Sequence, residues 1–387
     1  MSALLCLVAG ALCFYVIVYY GVFRGARCSS SVKLNGKTAI VTGSNTGIGK
    51  AVALDLAKRG ARVILACRNK DKAEAAAFDI RRESGNNQVV FMQLDLASFK
   101  SVRSFAETFL KTEPRLDILI NNAGVMGPGH TEDGFGMAFG VNHLGHFLLT
   151  NLLLEQLQQC GPSRVVTVAA LLHCFGSAHF PLLASKNDSV SAQSTWQNLQ
   201  AYCNSKLCNV LFTRELANRL EGSSVTCYSL HPGVVSTELG RSMSLWQQLL
   251  LKPLAKLFFL DPEGGSQTIL HCALQEGLQP LSGRYFSNCA LQQVGAKGRD
   301  DALAKKLWER RQRQRQQLRR QASPDWDAAG KEGEAGGGER CTRYRQDVSV
   351  FQHAAARRQA ACGWVICSAG RALQRITKPR LETKVLW

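Results

Sequence analysis

Tyr202 and Lys206 stand four residues apart in Tyr202-Cys-Asn-Ser-Lys206. On a helix that spacing puts both side chains on one face. A free phenol titrates near ~10, too high for efficient proton exchange at neutral pH. A lysine cation beside it and the positively charged ring of a bound cofactor favour the phenolate. A tyrosine so placed can give a proton to a carbonyl oxygen as hydride arrives, or remove one in reverse. A solvated helix face shows the same pair, so its weight depends on context. That context is Thr42-Gly43-Ser44-Asn45-Thr46-Gly47-Ile48-Gly49, between an apolar run at 38–42 and a helical pattern at 48–59. Glycine permits a tight turn and lets backbone approach phosphates, while the helix N-terminus offers unpaired N–H groups and a positive dipole. Gly43, Ser44, Asn45, Thr46, Gly47, Ile48 and Gly49 therefore read as the pyrophosphate-binding turn of a dinucleotide site. The next apolar run ends Leu65-Ala-Cys-Arg68. An acidic residue near this strand end accepts the ribose hydroxyls of NAD, whereas an arginine accommodates a 2′-phosphate. Arg68 predicts NADP(H); a solvated surface arginine is the alternative.

These residues need a frame to hold them. Apolar strand patterns fall at 38–42, 62–66, 88–94, 116–120, 164–168 and 225–230. Helical patterns fall between them, at 48–59, 70–84, 99–112, 135–159 and 200–221. Apolar strands alternating with helices predict a parallel sheet covered on both faces. Right-handed crossovers make it an α/β, Rossmann-type, doubly wound sheet in a single domain, placed at 34–290.

The order and spacing of several motifs carry a resemblance. They are the glycine turn, Asp95-Leu96, Asn121-Asn-Ala-Gly124, Asn142, Tyr202 to Lys206 and His231-Pro-Gly233. Together they resemble the short-chain dehydrogenase/reductase family, especially its membrane-anchored retinol dehydrogenase branch, over residues 34–288 and the N-terminal segment. The resemblance implies that Asp95 lies near adenine and that Asn122 supports the strand ends on the cofactor side. It places Pro232, Gly233 and Thr237 near the nicotinamide and phosphates. Tyr202 becomes the general acid/base, Lys206 also holds the nicotinamide ribose, and Asn142 fixes a proton-relay water through its helix backbone. The implied substrate is a retinoid-like or other lipophilic alcohol, aldehyde or ketone.

The chain departs from the pattern at Ala170, the substrate-side position two residues beyond Val168. The family places there a serine whose hydroxyl orients the substrate oxygen. Thr167 and Ser177 are the nearest hydroxyls, and neither has the family register. Losing one preorganised donor costs about 10²–10³ in rate. Two readings follow: an NADP(H)-dependent oxidoreductase, or a cofactor-binding pseudoenzyme or scaffold.

The ends differ from this core. Residues 2–23 carry no charge, and Arg24 and Arg27 follow. About 20 apolar residues span a bilayer, and charge after the run argues for an uncleaved anchor over a signal peptide. The catalytic domain would then face the cytosol, with the endoplasmic reticulum the expected membrane. Hydrophobic residues make up 45 % of the 387, enough to fill a core. The net charge of +18 first suggests nucleic acid. However, residues 301–387 hold 19 Lys/Arg against 9 Asp/Glu, so that tail carries +10 of it. The tail reads as basic and largely disordered, with a helix at 301–320, and nucleic-acid binding is not expected. The 14 cysteines form no CxxC pair and no metal-ligand cluster, which predicts reduced thiols and no metal. The stretch 243–260 is rich in Leu, Phe and Trp. It fits an apolar lid over a lipid-like substrate, or a helix in the core or at a homodimer interface.

Overall fold

The computed structural model describes residue 10 and residues 25–177, 194–233, 235 and 260–321. Its contacts divide the chain into a unit from Met1 to Arg315 and another from Gln316 to Trp387. Of the second, only the helical turns 316–321 are described. The expected anchor at 2–23, Thr237 and nearly all of the apolar stretch 243–260 lie outside the described residues. Among those described, no helix is long and apolar enough to cross a membrane.

The first unit is built on one eight-stranded sheet in the order β3-β2-β1-β4-β5-β6-β7-β8. The strands are β1 (Thr38–Thr42), β2 (Arg62–Cys67), β3 (Val89–Gln93), β4 (Ile118–Asn121), β5 (Ser163–Val168), β6 (Val225–His231), β7 (Tyr285–Ser287) and β8 (Ala290–Gln292). The first seven run parallel, and β8 returns antiparallel to β7. Helices α1 (Gly47–Lys58), α2 (Lys70–Ser84), α3 (Phe99–Thr112), α4 (His146–Gln159), α5 (Thr195–Arg219), α6 (Pro262–Leu274) and α7 (Asp301–Gln321) complete the main elements.

Strand β1 is buried along its whole length because both sheet faces are covered. Its residues alternate between two cores. Ala39 and Val41 join the cluster with α1, α2 and α6, while Ile40 joins the one with α3 and α4. Ends are set by capping chemistry: Asn69 caps α2, Ser98 caps α3, and Asp261 caps α6 ahead of Pro262. Each such cap is worth about 1 kcal/mol. A reciprocal Ser194–Gln197 capping box starts α5. That helix begins five residues earlier than the apolar pattern from 200 suggests.

The expected helix at 135–159 is not uniform. A short turn at Met137–Phe139 leads into a π-helical segment, Gly140–Gly145, before α4 begins. Residues 301–311, counted with the basic tail on sequence alone, pack inward: Ala304, Leu307 and Trp308 are buried. The helix expected at 301–320 is observed as Asp301–Gln321.

The strand order turns back between β1 and β4. In such sheets the crevice for a ligand opens beyond the carboxyl ends of the strands at that reversal. The glycine turn leaves β1 there, and Asn122 leaves β4 beside it.

Candidate active site

The glycine turn is shaped by atoms it cannot avoid. Gly43 has φ +65°, and a Cβ there would sit 3.0 Å from the Cα of Ala123. A Cβ on Gly49 would collide with the carbonyl oxygen of Gly43 and the amide of Asn122. Gly47 also has φ +58°, with open space where its Cβ would be. Thr46 is the extended N-cap of α1, and its side chain makes no capping bond. The first N–H groups of α1 are therefore not consumed by that cap, as an anion site requires. Ser44 is different: its buried hydroxyl donates to the Val41 carbonyl at 2.8 Å, so it holds the turn from within. Gly49→Ala should weaken dinucleotide binding by about tenfold or more, because the nearest obstructing atom is the backbone carbonyl oxygen of Gly43. Titration of intrinsic fluorescence would check this, and unchanged affinity would show that the turn does not hold the dinucleotide.

One hydroxyl joins the turn to the chemistry. Thr42 Oγ1 accepts the backbone N–H groups of Asn122 and Ala123, both at 2.9 Å. The Asn122 side chain donates to the Thr42 carbonyl at 2.8 Å, which fits its expected supporting role. Thr42 Oγ1 also lies 2.9 Å from His146 Nε2, and His146 Nδ1 lies 3.1 Å from the Asn142 carbonyl. A carbonyl only accepts, so Nδ1 carries the proton and Nε2 receives the threonine hydroxyl. Full burial pushes this imidazole down to about 4, consistent with a neutral ring.

Asn142 is fully buried in the π-helical segment. Its side chain accepts from Val125 N at 2.8 Å and donates to the Val125 carbonyl and to Ser205 Oγ, both at 3.0 Å. It thus ties the loop after β4 to the tyrosine helix. The carbonyl given a water-holding role by the family resemblance is already engaged by His146. Thr42, His146 and Ser205 were not singled out in the sequence. His146 had one available signal, its place one helical turn after Asn142.

Tyr202 and Lys206 share one face of α5, as their spacing predicts. The Lys206 ammonium lies 5.6 Å from the centroid of the Tyr202 ring and donates to the Val168 carbonyl at 2.9 Å. Both side chains are buried. Burial pushes the Tyr202 phenol up to about 12 and the Lys206 ammonium down to about 8. Desolvation is the main cause of the rise at Tyr202, with Cys203 adding to it. Tyr202 therefore stands as a neutral proton donor. Gly124 faces the lysine: a Cβ there would lie 3.4 Å from Lys206 Nζ and 3.7 Å from Asn142 Oδ1. The absence of a side chain keeps that approach open.

Ala170 follows β5 with extended backbone, two residues beyond the carbonyl that Lys206 holds. Its own carbonyl accepts from His173 N at 3.0 Å and from His173 Nδ1 at 2.7 Å. His173 is thus spent on the loop. Neither hydroxyl considered as a substitute takes the serine's place. Thr167 is buried in β5 between Asn121 and Ser229, and the Ser177 backbone is fixed by Asn204 Oδ1 at 2.7 Å.

The adenine side is simpler. Arg68 is exposed directly after β2, and Cys67 Sγ lies 3.5 Å from Ser44 Oγ, so the end of β2 adjoins the glycine turn. Asp95 follows β3 and accepts from Ala97 N at 2.9 Å. Pro232 and Gly233 follow β6, with Gly233 at φ +88° and its N–H donating to His231 Nδ1 at 3.0 Å. Among the described residues, no group of three or more His, Cys, Asp or Glu is arranged to hold a metal ion.

Comparison with known proteins agrees with this geometry. Residues 37–187 match the family model described as short chain dehydrogenase. The chain is 54 % identical to human dehydrogenase/reductase SDR family member 13 over 296 residues, which covers 76 % of this chain and 77 % of that protein. It is 52 % identical to mouse retinol dehydrogenase 11 over 288 residues, 73 % of this chain and 87 % of that one. A solved structure from Mycobacterium paratuberculosis, described only as an uncharacterised protein, superposes with a TM-score of 0.57 at 33 % identity. It covers 75 % of this chain and 97 % of its own. Another, assigned as an NAD(P)-dependent gluconate 5-dehydrogenase of Beutenbergia cavernae and solved with bound NADP at low occupancy, has a TM-score of 0.52 at 25 % identity. It covers 66 % of this chain and 96 % of its own.

Proposed function

The chain belongs to the short-chain dehydrogenase/reductase family, and from that premise we propose that it is an NADP(H)-dependent oxidoreductase for a lipophilic, retinoid-like alcohol and its aldehyde or ketone. The observation that carries the reading is the meeting of Tyr202, Lys206 and Asn142 with the glycine turn at one end of the sheet. The residues fit a dinucleotide. The Gly43–Gly49 cradle is one a side chain would fill, and Gly124 leaves Lys206 and Asn142 approachable. The turn would hold the pyrophosphate, Arg68 the 2′-phosphate, Asp95 the adenine side, and Lys206 with Tyr202 the nicotinamide ribose. When bound, the cofactor supplies or accepts the hydride.

The rest is done by the protein. Tyr202 stays protonated at neutral pH and gives its phenolic proton to the carbonyl oxygen of the substrate. Lys206 places a positive charge beside the phenol, which stabilises the phenolate left behind. The substrate class rests on the named relatives and on the apolar stretch at 243–260.

In this reading residues 2–23 anchor the domain to the endoplasmic reticulum membrane with the site in the cytosol. The described chain resumes at Gly25, where Ala26 N donates to Asn288 Oδ1 just past β7. The anchor would therefore join on the side where the carboxyl ends of the parallel strands open. A pseudoenzyme remains the competing reading, favoured by one observation, the missing hydroxyl at Ala170.

Two measurements test the assignment. Wild-type protein should reduce all-trans-retinaldehyde with NADPH at least about tenfold more efficiently than with NADH, and Arg68→Asp should narrow or reverse that preference. Equal use of both cofactors by wild type would remove the role given to Arg68. The second is a pH profile. The Lys206 proton leaves near pH 8, below its usual range. The protonated form is the active one, so kcat/KM should hold below about pH 8 and decline above it. Lys206→Arg keeps its charge, and its residual activity should lack that decline. A profile flat to pH 10 in wild type would contradict the role of Lys206.

A further inference from the structure

Helix α7 lies beyond every motif used so far, yet it packs on α5, which carries Tyr202 and Lys206, and on α4, which follows Asn142. Asp301 accepts two hydrogen bonds from Arg214 of α5, which fixes its first turn. Trp308 stacks on Phe212 of α5 with centroids 5.8 Å apart and planes 6° from parallel. The same indole meets Phe147 of α4 edge-on at 5.0 Å and lies under Arg219 at 4.9 Å. Trp308 therefore spans the seam between the helix after Asn142 and the helix of Tyr202 and Lys206. One turn on, Arg311 is 2 % exposed, with its guanidinium carbon 4.7 Å from the centroid of Phe139.

From Phe139 the contacts run to the site. Its ring lies 5.4 Å from the ring of His143 within the π-helical segment. His143 Nδ1 is 3.2 Å from Asn209 Oδ1. Asn209 Nδ2 donates to the Val168 carbonyl at 3.4 Å, the same carbonyl that receives Lys206 Nζ. Phe139 also begins the segment that presents Asn142. The buried cation over Phe139 thus couples α7 to the turn that leads into the Asn142 segment.

We propose that α7 belongs to the cofactor-binding apparatus, with Arg311 as a positioning residue that sets the Asn142 segment and Lys206 through Phe139, His143 and Asn209. The proposal rests on the reading of Lys206, Tyr202 and Asn142 as the residues that hold the nicotinamide half of the cofactor. It predicts damage concentrated in that half, because none of the contacts running from Phe139 through His143 and Asn209 to Val168 touches the glycine turn or Arg68.

The test compares two ligands on the full chain. NADPH engages both halves of the site, whereas adenosine 2′,5′-bisphosphate carries only the adenine half. Arg311→Met should weaken NADPH by about tenfold or more, the scale of a lost positioning contact, and leave the bisphosphate within about twofold. Arg311→Lys keeps a cation over Phe139 and should restore NADPH affinity. Phe139→Leu removes the ring from the other side and should reproduce the selective loss even if Arg311→Met folds poorly. Equal weakening of both ligands by Phe139→Leu and Arg311→Met would reduce α7 to general stability and overturn the proposal. So would unchanged NADPH affinity in both variants. Wild type that binds the bisphosphate but not NADPH would remove the nicotinamide-side reading itself, and the proposal with it. Selective loss of NADPH without any turnover in wild type would uphold this proposal and sink the oxidoreductase reading alone.

Discussion

Tyr202→Phe should lower the rate of retinaldehyde reduction by about 10²–10⁴ while NADPH affinity stays within a few fold. Phenylalanine keeps the ring that lies beside Lys206, so the packing of α5 is retained. What goes is the proton donor for the carbonyl oxygen. The buried phenol is protonated across the whole neutral range, with its proton held up to about 12. Among the described residues, two histidines are already committed: His146 is held neutral between Thr42 and Asn142, and His173 is held to the Ala170 carbonyl. Stopped-flow measurement of NADPH oxidation would separate binding from the chemical step. A rate constant unchanged in Tyr202→Phe would mean that some other group delivers the proton.

Ala170→Ser should act in the opposite direction, raising kcat by up to about 10². The position has extended backbone two residues past the carbonyl that Lys206 holds, so a hydroxyl there enters the same end of the site. The gain should appear in kcat more than in KM, because the added donor strengthens most as charge builds on the substrate oxygen. Steady-state kinetics of the two proteins would show it. No gain would indicate that the substrate oxygen is already oriented by another donor.

Much of this was legible in the sequence because local chemistry and fold agreed. The glycine turn sits between an apolar strand and a helix, and those neighbours gave the glycines meaning. Tyr202 and Lys206 were readable from helical spacing alone. Their electrostatics were not. Desolvation depends on how deeply α5 is buried, which no local pattern reports, and it pushes the Tyr202 phenol up. The π-helical segment around Asn142 was read as plain helix because its apolar residues keep a helical period. Strands β7 and β8 escaped because three residues each carry too little pattern to register. Helix α6 carries a start signal in Asp261 and Pro262, but it follows an apolar stretch so directly that its own period does not stand out. The inward face of α7 was hidden by composition: Arg and Gln dominate 310–320, while its packing rests on Ala304, Leu307, Trp308 and Arg311.

Completion of hydride transfer by the natural chain, with Ala170 in place, separates an enzyme from a protein that only binds the dinucleotide. Wild-type protein should be incubated with retinaldehyde and NADPH deuterated at the transferable position, beside Ala170→Ser and Tyr202→Phe, and the retinol analysed by mass spectrometry. The account predicts a single deuterium at the alcohol carbon of retinol made by wild type, more product from Ala170→Ser and almost none from Tyr202→Phe. Labelled retinol from Ala170→Ser alone would contradict it, and would leave the natural chain a protein that binds the dinucleotide without using it.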